Sequence, residues 1–416
     1  MKICILSPLY PISSNPHFGI YVYEQAKQLA KKGHEVHVIT VGDHNDKEYE
    51  IAENVRVYRI RIEELLPFKN KIYYDRLAAL EKKNNLLAGL GKLFFKLRIL
   101  FKGTSFSLAM ALKLAVLNKK HNFDIIHSHF VGRTTPLIGI TAKFLSKPFI
   151  VTAYGIGLLD DNPIKKALNR FYLSFPSKVV CISGYVADMV SKYCDEDKIA
   201  IVFYGVNPNK LKPSMSAPKF RKKLGLKNEK ILLSVCNLEE RKGLDIIINA
   251  LPKIMKKIPK IKYFIVGDGP QKQNLDNLIA TLGLKEQVTF VDYVDDADLA
   301  NFYNSCDLFI LMSRTLKKKE GIEGFGIVYI EASYFSKPVI GGKSGGTADP
   351  IEDNVTGYRI NPEDSKMMIN RVVKILTDIK LSKRLGTNGK KRALKFLYEN
   401  TTNDLIKVYG SEIKKH

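Results

Sequence analysis

Apart from Ile3–Tyr23, which Pro8, Pro11 and Pro16 interrupt, no stretch of this chain runs uncharged for the roughly 18 residues that a membrane-crossing helix needs, so none is expected. The five cysteines, Cys4, Cys181, Cys194, Cys236 and Cys306, include no C-x-x-C pair, and three sit in apolar, strand-like runs. Buried, reduced thiols are the expectation, which fits the cytoplasm. The opening Met1-Lys2-Ile3-Cys4-Ile5-Leu6-Ser7-Pro8 is too short for a signal-peptide core and ends in proline, so it reads as a first strand. No G-x-G-x-x-G follows that strand, which argues against a dinucleotide-dependent oxidoreductase. Histidines and carboxylates show no convincing metal-ligand spacing. The acidic run Asp292–Asp298 reads as a polar loop before a helix at Leu299–Asn304. No metal and no cofactor are therefore expected.

What is present is a globular composition of 416 residues, 45% hydrophobic, enough for two domains each with its own core. Lys+Arg number 66 against 42 Asp+Glu, a net charge of +24 that predicts attraction to anionic partners. Strand-like runs at Lys2–Ser7, Glu35–Thr40, Ile125–Ser128, Phe149–Thr152, Val179–Ile182 and Ile199–Phe203 alternate with helical stretches such as Gln25–Lys32. After a break the runs resume at Ile231–Val235, Lys262–Val266, Val288–Val291, Leu308–Met312 and Pro338–Ile340, with a helix at Leu244–Lys257. This alternation predicts an α/β protein whose parallel sheets are covered by helices, doubly wound in each half. The boundary falls near Asn207–Pro218, where prolines 208, 213 and 218 punctuate a polar segment.

The segment from Lys82 to Phe123 holds nine Lys/Arg and no Asp/Glu. Within it, Lys92–Lys102 mixes basic with bulky apolar residues, although Phe95 and Ile99 intrude on the basic face. Two readings stand: a helix packed on the first domain, or an interfacial helix facing an anionic membrane through Lys82–Lys120.

The most informative stretch is Glu323-Gly324-Phe325-Gly326-Ile327-Val328-Tyr329-Ile330-Glu331. A Gly-x-Gly turn opening a helix offers unpaired N–H groups to a phosphate, and two carboxylates can hold sugar hydroxyls. Upstream lie Ser234-Val235-Cys236-Asn237-Leu238-Glu239-Glu240-Arg241-Lys242-Gly243 and Val266-Gly267-Asp268-Gly269-Pro270. Downstream lie Lys337-Pro338-Val339-Ile340-Gly341-Gly342 and Ser344-Gly345-Gly346-Thr347. In this order the motifs resemble the retaining glycosyltransferases of family four, which have the GT-B fold of two doubly wound domains facing across a cleft. The resemblance spans nearly the whole chain and is most specific between about Leu232 and Asn361.

The resemblance implies an acceptor-binding domain over 1–207, a donor-binding domain over 214–389, and final helices, about 390–416, crossing back to the first. The donor would be a nucleotide-diphosphate sugar, UDP- or GDP-linked, and the acceptor a glycan or glycolipid. Arg241 and Lys242 would neutralise the departing diphosphate, with help from the N–H groups at Gly324, Phe325, Gly326, Ile327 and Val328. Glu323 would hold the sugar and Glu331 the ribose. Gly267 and the backbone near Val294 would meet the nucleotide. His129, in His127-Ser128-His129, would face the cleft near the reacting sugar, while His127 reads as a satisfied, partly buried side chain. Gly19 and Tyr154 would lie on the acceptor side.

The chain departs from the family pattern at several points. Asn237 stands where arginine is frequent, Tyr154 replaces a common histidine, and Gly157 stands where an acid is common. Only Gly19 represents the usual glycine pair near the first loop. Rival readings are a nucleotide-sugar epimerase of the same architecture, a basic nucleic-acid-binding protein and an inactive scaffold. No nucleic-acid motif accompanies the charge, so nucleic acid is not an expected partner. The expected setting is cytoplasmic, peripheral to the inner face of the membrane.

Overall fold

The computed structural model describes residues 1–61, 105–155, 157–159, 162–316 and 321–416. Of the basic segment, the part up to residue 104, Lys92–Lys102 included, lies outside the described residues.

The first sheet is built from β1 (Lys2–Leu6), β2 (Glu35–Gly42), β3 (Tyr49–Ala52), β4 (Val55–Arg61), β5 (Ile125–His129), β6 (Phe149–Ala153), β7 (Lys178–Cys181) and β8 (Ile199–Ile201). Its order is β3-β4-β2-β1-β5-β6-β7-β8. The second holds β9 (Lys230–Val235), β10 (Ile261–Val266), β11 (Val288–Val291), β12 (Leu308–Leu311), β13 (Val339–Gly342) and β14 (Gly357–Ile360), ordered β11-β10-β9-β12-β13-β14. Every pairing is parallel except β3 with β4. Central strands such as Ile3–Leu6 and Leu308–Leu311 are continuous apolar runs buried on both faces, which requires helices on either side of the sheet. Strand order reverses between β1 and β5 and again between β9 and β12. Open parallel sheets gather ligands outside the carboxyl ends of their strands at such points.

Three strands escape the sequence reading. β3 and β4 form a hairpin whose two-residue turn, Glu53-Asn54, has both φ angles positive, at 50° and 63°. That is the turn a two-residue hairpin favours, but it lacks the glycine that usually announces it. Within β4, Arg59 is buried and reaches Glu50 at 2.5 Å, so a charged residue occupies a core position. β14 is four residues long and carries Arg359.

The helix at 105–121 packs on the first sheet through Phe106, Met110, Ala111, Leu114 and Leu117. Its outer face shows Leu108, Leu112 and Val116, at 50%, 59% and 67% exposure. The chain first leaves the first domain after β8. Helices Ser365–Thr377 and Ile379–Ala393 then cover the second domain, and helix Tyr398–Ile413 returns to bury Leu405 and Tyr409 in the core of the first. The return crossing, at 394–397, runs beside the outward one. The Val206 N–H donates to Phe396 O at 2.8 Å and the Tyr398 N–H to Val206 O at 3.1 Å. Phe325, Ile330, Val206, Leu211, Ala393 and Phe396 pack together at this junction.

Candidate active site

A cavity of about 930 Å³ opens between the two sheets. On one side it is lined by residues just beyond β5 to β8, among them Phe130, Tyr154, Ile182 and Tyr204. On the other it is lined by Arg241, Pro270 and the loop leading to helix Ile327–Tyr334. The carboxyl ends of both sheets therefore supply its walls.

Glu323 is the most constrained charge in the second wall. It is 7% exposed, and its Oε2 accepts from Lys242 Nζ at 2.6 Å and from Ser313 Oγ at 3.1 Å, with Arg241 Nη1 at 3.6 Å. Burial alone would push this carboxyl up. The Lys242 charge and hydrogen bond, Arg241 and Ser313 outweigh burial and hold it below the ordinary value. Arg241 also donates from Nε to Glu239 at 2.7 Å and from Nη1 to Ile322 O at 3.2 Å, which fixes its guanidinium on the cavity wall.

Gly326 follows at φ 90°, and a Cβ there would come within 2.6 Å of the Tyr329 ring. This left-handed turn starts helix Ile327–Tyr334 with no side-chain cap, so its first N–H groups have no partner within the helix. Gly326 and Ile327 line the cavity, which puts those donors at its edge. One turn on, the Tyr303 hydroxyl donates to Glu331 Oε2 at 2.7 Å. Burial raises the Glu331 carboxyl, and Asp296 adds to the rise. The Tyr303 hydrogen bond and Lys210 oppose it without cancelling it.

The facing wall is aromatic. Tyr154 packs among Tyr21, Tyr204 and Phe130, with ring centroids 5.2, 5.9 and 4.4 Å away. Beneath it His129, 1% exposed, shares a 2.6 Å hydrogen bond between Nδ1 and the Tyr154 hydroxyl, while Nε2 has no partner among the described residues. Burial pushes this imidazole down to about 3, so it is neutral. His127 is satisfied, as expected, by the Tyr409 hydroxyl and Thr152 Oγ1, both at 2.7 Å, but it is fully buried. At the rim the His17 ring meets Tyr293 across the cleft, with Nε2 2.5 Å from the phenol oxygen. Lys210, in the linker, lies 3.2 Å from Glu24 and 3.8 Å from Asp296.

Of the residues singled out in the sequence, the cavity wall takes in Tyr154, Arg241, Glu323, Gly324, Phe325, Gly326, Ile327 and Glu331. His129, Lys242, Gly19, Gly267, Val294 and Val328 stand outside that wall. Gly19 instead serves a close approach: at φ 64°, its Cβ would lie 2.3 Å from the Leu9 carbonyl carbon. Val294 and Val328 pack against the second core. Lys242, expected at the diphosphate, is 7% exposed and paired with Glu323 at 2.6 Å. Removing it strands a buried carboxylate, which costs about 3–5 kcal/mol of stability besides any effect on chemistry. Sequence reading missed Tyr21, Tyr204, Tyr398, Glu24 and Lys210, all on the wall. Tyr204-Gly205, three residues beyond the end of β8 at Ile201, sits where the carboxyl ends of the first sheet face the cavity.

Two family models account for most of the chain: Glycosyltransferase Family 4 matches residues 19–210, and Glycosyl transferases group 1 matches 216–392. An uncharacterised glycosyltransferase of Methanocaldococcus jannaschii is 26% identical, over 98% of both chains. N-acetyl-alpha-D-glucosaminyl L-malate synthase of Bacillus anthracis is 24% identical, over 98% of this chain and 95% of its own. A GDP-mannose-dependent alpha-(1-6)-phosphatidylinositol monomannoside mannosyltransferase of Mycolicibacterium smegmatis is 31% identical over 46% of this chain and 50% of its own. Among solved structures, a sucrose-phosphate synthase from Thermosynechococcus elongatus superposes with TM-score 0.74 at 21% identity, covering all of both chains. Anabaena HepE in complex with UDP gives 0.70 at 19% identity, covering 99% of this chain and all of its own. The fold is GT-B.

Proposed function

Because the chain belongs to the family-four glycosyltransferases, we propose that it moves a sugar, with retention, from a UDP- or GDP-linked donor to a membrane-associated glycan or lipid-linked acceptor. One observation carries this reading: Arg241, Glu323, the uncapped helix start at Gly326–Ile327 and Glu331 converge on a single cavity. Cation, oriented N–H groups and hydroxyl acceptor are what a nucleoside diphosphate sugar requires. Arg241 and the helix start take the diphosphate, and Lys242 backs them by holding Glu323 ionised beside the sugar. Glu331, with one oxygen tied to Tyr303, takes ribose hydroxyls. Support from relatives is of the same kind, since HepE has been solved with UDP and with UDP-glucose and the mycobacterial relative is named for GDP-mannose.

In the step itself the bond between the anomeric carbon and the diphosphate oxygen breaks, and its electrons leave with the phosphate. The acceptor hydroxyl attacks from the same face and gives its proton to that phosphate oxygen. No protein nucleophile is needed. Glu323 is engaged by Lys242 and Ser313, and His129 lies beneath Tyr154 outside the cavity wall, so neither stands free in the cavity as a nucleophile. Arg241 and the N–H groups at the helix start supply the positive charge at the diphosphate without a divalent ion.

The membrane part rests on exposed apolar rows. Ile164, Leu168 and Phe171 on helix Pro163–Leu173 are 71%, 42% and 52% exposed and alternate with Lys165, Lys166 and Arg170. Leu108, Leu112 and Val116 form a second row on 105–121. Apolar rows beside basic residues suit an anionic bilayer surface. Among the described residues no helix is long and apolar enough to cross a membrane.

The test is incubation of the purified protein with a panel of nucleotide sugars and candidate acceptors, with and without a chelator. Release of one nucleoside diphosphate that persists in chelator is expected. Isomerised donor without release would favour epimerisation. Activity lost in chelator and restored by magnesium or manganese would overturn the metal-free reading.

A further inference from the structure

We propose that Glu35, His37 and His121 form a binding site for a divalent transition-metal cation of the zinc type, at the end of the first sheet opposite the cleft. One candidate ligand atom from each residue lies within 4.8 Å of the others. His37 Nε2 is 3.0 Å from Glu35 Oε1, and His121 Nδ1 is 4.0 Å from the same oxygen. The three residues come from distant parts of the chain. Glu35 and His37 share one face of β2 at its amino-terminal end, whereas the cleft lies at the carboxyl ends. His121 closes the helix at 105–121, and Asn122, at φ 51°, turns the chain back into the sheet.

The Tyr58 hydroxyl behind the two rings gives this arrangement its chemistry. The Tyr58 hydroxyl lies 3.3 Å from His37 Nδ1 and 3.3 Å from His121 Nε2, the two nitrogens that point away from Glu35. An imidazole that binds a metal donates its other N–H to such an oxygen, which fixes the tautomer and turns the ligating lone pair outward. One phenol oxygen here serves both rings. Phe123, fully buried, packs against both, at 5.0 and 6.0 Å. In the tautomers where His37 Nδ1 and His121 Nε2 donate to Tyr58, their other nitrogens turn lone pairs toward the Glu35 carboxylate, a set that a cation resolves. Two imidazoles and one carboxylate are the nitrogen and oxygen donors zinc takes, with solvent for a fourth position. Arg56 Nη1 is 3.3 Å from the same Glu35 oxygen. Its side chain is 36% exposed and free to swing into solvent when a cation arrives. The site's role is a clamp between β2 and the helix that presents Leu108, Leu112 and Val116.

The experiment uses the full chain, stripped of metal, titrated with Zn²⁺ alone by calorimetry and by thermal melting, and with Co²⁺ by visible absorption. Wild type is expected to bind one equivalent, to gain melting temperature and to show the d–d bands of nitrogen-ligated cobalt. Tyr58→Phe is expected to weaken Zn²⁺ binding about 10- to 100-fold. His121→Gln and Glu35→Gln, both at partly exposed positions, are expected to weaken it more and to lose the cobalt bands. Metal-free melting of each variant shows whether it still folds. Absence of saturable binding in wild type overturns the proposal. So does binding that survives unchanged in folded His121→Gln and Glu35→Gln. Nucleoside diphosphate release at low temperature, which does not involve this site, should continue in the stripped protein.

Discussion

Glu323 and Glu331 sit in opposite electrostatic surroundings on one wall. Lys242 and Arg241 keep the first ionised, while burial makes the second reluctant to ionise. On the proposed reading, in which Glu323 acts where charge develops on the sugar, Glu323→Gln is expected to lower kcat with little change in affinity for free nucleoside diphosphate. Glu331→Gln is expected to weaken that affinity. In the proposed ribose role Glu331 accepts hydroxyls best when ionised, and burial raises it above the ordinary value of 4.5. Nucleoside diphosphate binding should accordingly begin to weaken, as pH falls, above pH 4.5. Calorimetry across that range and steady-state kinetics of both variants check the assignment. Intact diphosphate binding in Glu331→Gln together with its loss in Glu323→Gln would reverse the roles. The folding contribution of Glu323 runs the other way. Its lowered value means that stability is present above pH 4.5 and is lost as pH falls through the folded value.

Helix Pro163–Leu173 and the helix at 105–121 place apolar side chains where a soluble surface has no use for a row of them. Changing Val116, Ile164 and Phe171 to serine together is expected to reduce flotation with anionic vesicles several-fold. These positions are exposed, so stability should move by no more than about 0.5 kcal/mol each. Flotation equal to wild type, or equal partition to neutral vesicles, would refute the surface. At this scale the sequence was a good guide wherever an element was continuous. The strands from β5 to β13 are apolar runs that stand out unaided, and the Glu323–Glu331 motif is contiguous. The hairpin of β3 and β4 hid behind a turn without glycine and a buried Arg59. Tyr21, Tyr204 and Tyr398 meet only after folding, as do Glu35, His37 and His121, so neither group leaves a local signature. The neutralisation of Lys242 by Glu323 was invisible for the same reason.

Across the whole molecule the last helix binds the two halves into one folding problem. Leu405 and Tyr409 belong to the first domain's core although some two hundred residues of second domain separate them from its last strand. Leu405→Ala is expected to cost about 2–5 kcal/mol. The loss should appear in hydrogen exchange as weaker protection of β1 and β2. Lost protection confined to β9–β13 would contradict the packing. The same return of the chain governs how the halves can move. Two bodies joined by one thread can swivel about it. Here two threads cross side by side, stitched by the bonds from Val206 to Phe396 and from Tyr398 to Val206. Twisting shears both stitches, whereas bending about an axis through the two crossings spares them. A junction stitched in this way resists swivelling more than bending, which keeps the Arg241 wall and the Tyr154 wall facing each other in one alignment.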